Sequence, residues 1–253
     1  MHQVVSDKEG RLNTVVNAAI AAGGQVHVKP QPAASAAQQV ISVDDTLCSP
    51  FRLEVVLKYA FLACHLDGEL WELGVYKGGS ATILGHYAAM AGKKVRLFDS
   101  FAGLPEPCAL DVPEGGMTQF GEVVMHKGEW TNTDVELVRQ RMPKGCDYEI
   151  HQGFVPDTLA GLEDCRVGFA HLDLDLYEGT KAALQFLYPR MVPNGVIVCD
   201  DYNYPRNPGV MLAVRQTLPE NFRIWSEADQ QAVLKRNVEY AATVEVPKNG
   251  DHA

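Results

Sequence analysis

The chain has 253 residues, a formal net charge of −10, 46% hydrophobic and 21% charged side chains. That acidity gives it no electrostatic reason to bind nucleic acid or an anionic membrane surface, and no apolar run is long enough to span a bilayer. The length suits one α/β domain with an N-terminal helical addition better than two full domains.

The polar run Met1–Arg11 does not read as a secretory leader. Arg11–Ala22 has the makings of a helix, and the stretch from Gly23 through Pro30 and Pro32 to Ala37 reads as a connector. Residues 1–48 are therefore taken as an extension, 49–240 as the main domain and 241–253 as a tail, disordered from Pro247. Ser49-Pro50 is a start signal for a helix whose apolar residues run from Phe51 to Cys64 at helical spacing. Strand and helix then alternate. Strands are expected at Glu69–Leu73, Lys94–Phe98, Tyr148–Gln152, Val167–Leu172 and Gly195–Cys199. Helices are expected at Gly78–Ala91, Asp134–Met142, Pro156–Leu162, Tyr177–Met191 and Gly209–Leu218. Phe222–Trp225 and Gln231–Lys235 form a closing strand pair. Residues 102–130, rich in Pro, Gly and acids, form a long loop of the kind that covers a binding site. The alternation predicts a doubly wound, mostly parallel sheet that binds its ligand at the strands' carboxyl ends.

The six cysteines contain no CxxC pair, which excludes a zinc knuckle or a thioredoxin-type motif and suits a reducing cytoplasm. The chemistry gathers at the strand ends. The first strand runs into Glu72-Leu73-Gly74-Val75-Tyr76-Lys77-Gly78-Gly79-Ser80. This is neither a P-loop nor the GxGxxG of dinucleotide binders. It has the form of a nucleoside-binding turn, and also of a plain tight turn between strand and helix. The second strand ends at Asp99, followed by Ser100. A carboxylate there can accept both hydroxyls of a ribose, or serve as a turn or cap residue. The fourth and fifth strands deliver Asp173 and Asp175, then Asp200 and Asp201, to the same sheet edge. Clustered carboxylates repel, so the group calls for a hard cation such as Mg²⁺, Ca²⁺ or Mn²⁺, unless single members cap helices or bond backbone amides. His171 shares a face with Asp173 and is read either as a general base or as a satisfied core histidine.

Glu72–Ser80 (ELGVYKGGS), Asp99–Pro107 (DSFAGLPEP), Leu172–Thr180 (LDLDLYEGT), Leu187–Pro189 (LYP) and Asp200–Tyr202 (DDY) together resemble the macrocin O-methyltransferase family, over about residues 50 to 218. The chain departs from the family pattern at Leu73, at Leu174 between the two aspartates, and at Gly179. The resemblance implies a class I, Rossmann-like methyltransferase fold with a seven-stranded sheet, S-adenosylmethionine and Mg²⁺ as cofactors, and a homodimer. It implies a metal site of Asp173, Asp200 and Asp201, with Asp175 as the alternative third ligand. It implies a cofactor pocket of Glu72, Gly74, Tyr76, Ser80, Asp99 and Ser100, with Gln152, Gly153 and Phe154 at the adenine end. The reaction expected is methylation of a hydroxyl on a small molecule, a sugar or diol of a natural product, with Asp173 or His171 as the base. Two alternatives remain: a non-catalytic S-adenosylmethionine-binding module, and a metal-dependent hydroxylase on the same fold.

Overall fold

The computed structural model describes residues 2–4, 41–43, 46–113, 125–228 and 230–237. Near the N-terminus, β1 (His2–Val4) and β2 (Ile41–Val43) pair antiparallel. The expected helix Arg11–Ala22 and the tail from Pro247 lie outside the described residues.

The main sheet comprises β3 (Glu69–Leu73), β4 (Lys94–Asp99), β5 (Asp147–Gln152), β6 (Val167–Leu172), β7 (Met191–Cys199), β8 (Phe222–Ala228) and β9 (Gln231–Arg236), in the order β5-β4-β3-β6-β7-β9-β8. Five strands are parallel, and β9 runs antiparallel to both β7 and β8. This is the class I methyltransferase arrangement, a Rossmann-like sheet. From β3 the chain first moves outward to β4 and β5, then returns to place β6 on the other side of β3. The strand order therefore reverses between β3 and β6, and the crevice opens at their carboxyl ends.

Period-two alternation sorts the strand side chains onto two faces. Leu70, Val95, Leu97, Phe169, Val196 and Val198 pack beneath α1 (Pro50–Ala63), α2 (Gly79–Ala91) and α3 (Val135–Arg141). Trp71, Leu73, Phe98, Ala170, Leu172, Ile197 and Cys199 pack beneath α4 (Tyr177–Leu187) and α5 (Pro208–Thr217). Both faces are covered, which is why the parallel strands read as continuous apolar runs.

Several element ends differ from expectation. The helix expected at Tyr177–Met191 stops at Leu187, and a single 3₁₀ turn follows over Tyr188–Arg190. Pro189 lacks the amide hydrogen that a continuing α-helix needs. β7 consequently starts at Met191, four residues earlier than its Val-Ile-Val run suggests. The helix expected at Pro156–Leu162 is only a 3₁₀ turn at Asp157–Leu159. Ser49 caps α1, its side chain accepting from the Arg52 N–H, and Asp134 caps α3 by accepting from Leu137. No helix among the described residues is long and apolar enough to cross a membrane.

Candidate active site

The β3–β6 junction is tight. Asp173 donates its N–H to the Leu73 carbonyl, and Gly74 donates to the Phe98 carbonyl, each at 2.8 Å. Gly74 has φ +90°, and a Cβ there would lie 1.8 Å from the Asp173 carbonyl oxygen. Only glycine fits this turn. The chain then passes through Tyr76, itself left-handed at φ 50°, to Gly78 and the start of α2.

Asp99 holds that loop in place. Its Oδ2 accepts from the Val75 and Tyr76 amides, each at 2.8 Å, and its Oδ1 accepts from the Phe101 amide at 2.7 Å. Three of its acceptor positions are thus taken by backbone, and Oδ1 keeps room for a further donor. Ser100 is turned inward on its own loop, accepting from Ala102 and donating to the Gly103 carbonyl.

Around these residues lies a cleft of about 430 Å³. Its walls include Gly74, Tyr76, Ser80, Asp99, Ser100, Gly153 and Phe154, together with Asp173, Asp175 and Asp201. Gln152 is an exposed residue outside that lining, and Glu72, His171 and Asp200 lie buried behind it. The long loop contributes Leu104, Met125 and Trp130 to the lining. Leu104, Met125 and Trp130 pack with Leu176, and an Arg206–Glu129 ion pair of 3.6 Å ties the loop to the far rim.

The four aspartates separate into two environments. β7 ends at Cys199 and Asp201 takes φ 57°, so the chain turns between the two adjacent aspartates and both reach the same Nη1 of Arg52. Asp200 turns inward. It meets Nη1 of Arg52 at 2.8 Å and Nε2 of His171 at 3.5 Å, and Cys48 Sγ lies 3.4 Å away. Burial pushes its pKa up, but the His171 and Arg52 charges outweigh burial and hold it below the ordinary value. Asp173, Asp175 and Asp201 face the cleft, with a carboxylate oxygen from each within 4.8 Å of the others. Burial, reinforced by Asp200 and Asp175, raises Asp173 to about 8. Burial and the charges of Asp173 and Asp200 raise Asp201 to about 7, and Asp175 is raised by burial and by Asp201. Asp175 and Asp201 face the same neutral side chain. Their nearest neutral donor is Asn207, whose Nδ2 reaches Asp175 at 2.9 Å and Asp201 at 3.1 Å. Three mutually repelling carboxylates on one wall fit a divalent cation, and their all-oxygen chemistry fits a hard one.

His171 does not reach the cleft. Fully buried, it pairs through Nδ1 with Glu72 Oε1 at 3.0 Å, directly across from it in the β3–β6 register. Burial lowers its pKa, but Asp200 and Glu72 on either side prevail and raise it to about 10. Asp175 does not cap α4. The Tyr177 amide donates instead to Oδ1 of Asp111 at 2.7 Å, and Asp111 Oδ2 accepts from Cys108 at 2.9 Å. Gly209 makes room for this carboxylate, since a Cβ there would lie 2.1 Å from Asp111 Oδ1.

Sequence reasoning missed Arg52, Cys48 and Asp111. Arg52 bridges Asp200 and Asp201, at 2.8 and 3.1 Å. It lies 148 residues from Asp200, and nothing near it in the sequence marks it. The one available signal was arithmetic: four aspartates at one edge require positive charge from somewhere.

The family described as macrocin-O-methyltransferase matches residues 52–224. A tetracenomycin-type 8-demethyl-8-(2,3-dimethoxy-alpha-L-rhamnosyl)-tetracenomycin-C 4'-O-methyltransferase of Streptomyces olivaceus is 32% identical over 148 residues, covering 56% of this chain and 55% of the relative. A demethyldecarbamoylnovobiocin O-methyltransferase of Streptomyces niveus is 29% identical over 146 residues, covering 54% of each. The chain thus spans about half the length of the curated relatives it matches. Among solved structures, the O-methyltransferase NovP superposes with a TM-score of 0.58 at 20% identity, over 74% of this chain and 80% of that one. The calicheamicin methyltransferase CalS11 gives 0.56 at 20% identity, over 73% and 77%. These two likenesses establish the fold.

Proposed function

Because the chain belongs to the macrocin-O-methyltransferase family, we propose that it moves a methyl group from S-adenosylmethionine to a hydroxyl on the sugar of a small natural product, with a divalent cation, Mg²⁺ by the donor set, at Asp173, Asp175 and Asp201. The observation that carries this reading is the placement of those three carboxylates on the wall of the same cleft as the Gly74 loop. The Streptomyces olivaceus relative is named for a rhamnosyl compound, which supports the sugar as the acceptor class.

S-adenosylmethionine would lie along Gly74, Tyr76, Asp99 and Gly153, supplying a methyl group on a sulfonium, while the cation would grip the acceptor oxygen and lower its pKa. Asp99 sets the loop's shape through three backbone amides and retains one acceptor position on Oδ1 for a ribose hydroxyl. Phe154, 43% exposed, offers an aromatic face at the far end of the cleft. Asp173, at the carboxyl end of β6 on the cleft wall, is the carboxylate placed to take the hydroxyl proton. His171 and Glu72 fix the wall behind Asp200 rather than meeting substrate. Leu104, Met125 and Trp130 exclude water from the acceptor side. The reading includes a homodimer and a cytoplasmic location, supported by the family resemblance and by six free cysteines.

The test is release of S-adenosylhomocysteine in the presence of glycosides bearing neighbouring hydroxyls. Turnover is expected to stop in excess EDTA and to return with Mg²⁺. Full activity in EDTA would remove the cation from the account.

A further inference from the structure

Arg52 and Arg206 both line the cleft, and they are placed in opposite ways. Arg52 is committed. Its Nη1 meets Asp200 and Asp201 at 2.8 and 3.1 Å, and its Nη2 donates to the Leu47 carbonyl at 3.2 Å. Arg206 is not. Its ionic neighbour among the described residues is Glu129, 3.6 Å from Nη2 and beyond hydrogen-bond reach. Glu129 is itself occupied, its Oε1 accepting from the His126 amide at 2.7 Å. The Nε of Arg206 is buried without a partner. A guanidinium carries its donors in a flat fork, and a buried donor left unpaired is costly. With the side chain 26% exposed on the cleft wall, the remaining donors are open to a ligand.

The backbone holds Arg206 in that place. After β7 the Tyr204 amide donates to the Asp201 carbonyl at 3.1 Å, and the Asn207 amide donates to the Tyr204 carbonyl at 3.0 Å. Asn207 is fully buried, and its side chain donates to both Asp175 and Asp201. Arg206 therefore adjoins the residue that anchors the carboxylate cluster. Across the cleft, Glu129 precedes Trp130, which lines the cleft together with Leu104. A sugar held by its hydroxyls at the aspartates can lie against this apolar wall and present a substituent to Arg206. The cleft wall carries Asp173, Asp175 and Asp201, and the chain as a whole carries −10. An uncommitted guanidinium in such surroundings marks the place of an anion. A neutral sugar leaves its charge unanswered, whereas a phosphate or carboxylate accepts two parallel bonds from the fork.

We propose that Arg206 recognises an oxyanion on the methyl acceptor, so that the acceptor is a sugar carrying a phosphate or a carboxylate group rather than a neutral glycoside. This deepens the methyl-transfer reading and rests on it for the ligand's role as acceptor, while the binding itself requires no turnover. The oxyanion takes up the unpaired Nε and competes with Glu129 for Nη2. Glu129 thereby opposes binding, and its neutral variant should favour it.

The test is calorimetric titration of the full-length, Mg²⁺-loaded protein with methyl glucoside, glucose 1-phosphate and methyl glucuronide. At least one of the two anionic sugars is expected to bind about tenfold or more tightly than methyl glucoside, the phosphate and carboxylate arms showing which group is read. Arg206→Gln should lose that advantage while binding methyl glucoside as the parent does, and Glu129→Gln should keep or increase it. Circular dichroism verifies that each variant is folded. No preference for either anionic sugar in the folded parent, or a preference that survives in Arg206→Gln, as it would if the Mg²⁺ alone held the anion, overturns the proposal. So does an equal loss in both variants, the outcome of a mere loop tether. Release of S-adenosylhomocysteine with neutral glycosides, unchanged in Arg206→Gln, overturns it while the methyl-transfer reading stands. Selective binding of an anionic sugar through Arg206 without methyl transfer to any sugar supports the Arg206 site and sinks that reading.

Discussion

Two aspartates that sit side by side in the chain live in opposite electrostatic worlds. Asp200 is compensated by both Arg52 and His171, whereas Asp201 has Arg52 Nη1 alone, at 3.1 Å, and shares the cleft wall with Asp173 and Asp175. Their neutral variants should therefore behave differently. Asp200→Asn takes one of two carboxylate partners from the partly buried Arg52 and from the fully buried His171, and should cost on the order of 2 kcal/mol of folding stability. Asp175→Asn removes one of three repelling groups. A carboxyl whose folded pKa exceeds its unfolded one binds its proton more tightly when folded, so it costs stability as pH rises above the unfolded value. Its neutral replacement should therefore leave the melting temperature unchanged or higher, while metal-supported turnover falls at least tenfold. Thermal melts and turnover of the two variants decide the matter, and a destabilised Asp175→Asn beside an unaffected Asp200→Asn would reverse the assignment. The sequence placed all four aspartates at one edge, because strand ends are legible from apolar runs. It could not show how each is compensated, because Arg52 and Cys48 arrive from α1 and the segment before it.

At the scale of elements, most of the fold was readable. Glu69–Leu73 and Val167–Leu172 are strands with the boundaries that their apolar runs indicate, and Gly92 ends α2 as expected. The failures have local causes. Pro189 cut α4 short, and a partner far along the chain took over its cap. Asp111 lies in a loop whose composition indicates only that it is a loop, yet it is 1% exposed and bonds both Cys108 and Tyr177. It ties the lid segment to the N-terminus of α4, next to the strand end that carries Asp173 and Asp175. Asp111→Ala should lower stability by about 1–2 kcal/mol, the upper part of the range for a lost N-cap. It should also raise the KM for the acceptor more than it changes affinity for S-adenosylmethionine, because the lid and not the Gly74 loop is released. Denaturant unfolding and a KM comparison check both. A variant as stable as the parent would show that the contact is incidental.

At the scale of the whole molecule, the strand reversal between β3 and β6 brings the glycine loop and the aspartate cluster to one crevice. The glycine loop alone is consistent with a tight turn, and the aspartates alone with helix caps and backbone bonds. Their convergence in a cleft of about 430 Å³ is what makes a nucleoside cofactor and a cation-held acceptor compatible in one place. The same sheet type also houses dinucleotides, and Asp99 by itself does not choose between the two cofactors. The choice rests on the loop Gly74-Val75-Tyr76-Lys77-Gly78, whose spacing differs from the dinucleotide fingerprint. Calorimetric titration of the metal-stripped protein with S-adenosylmethionine, and in parallel with NAD, tests this most directly. The account predicts saturable, one-site binding of S-adenosylmethionine with no heat from NAD. Binding of NAD without binding of S-adenosylmethionine would contradict it.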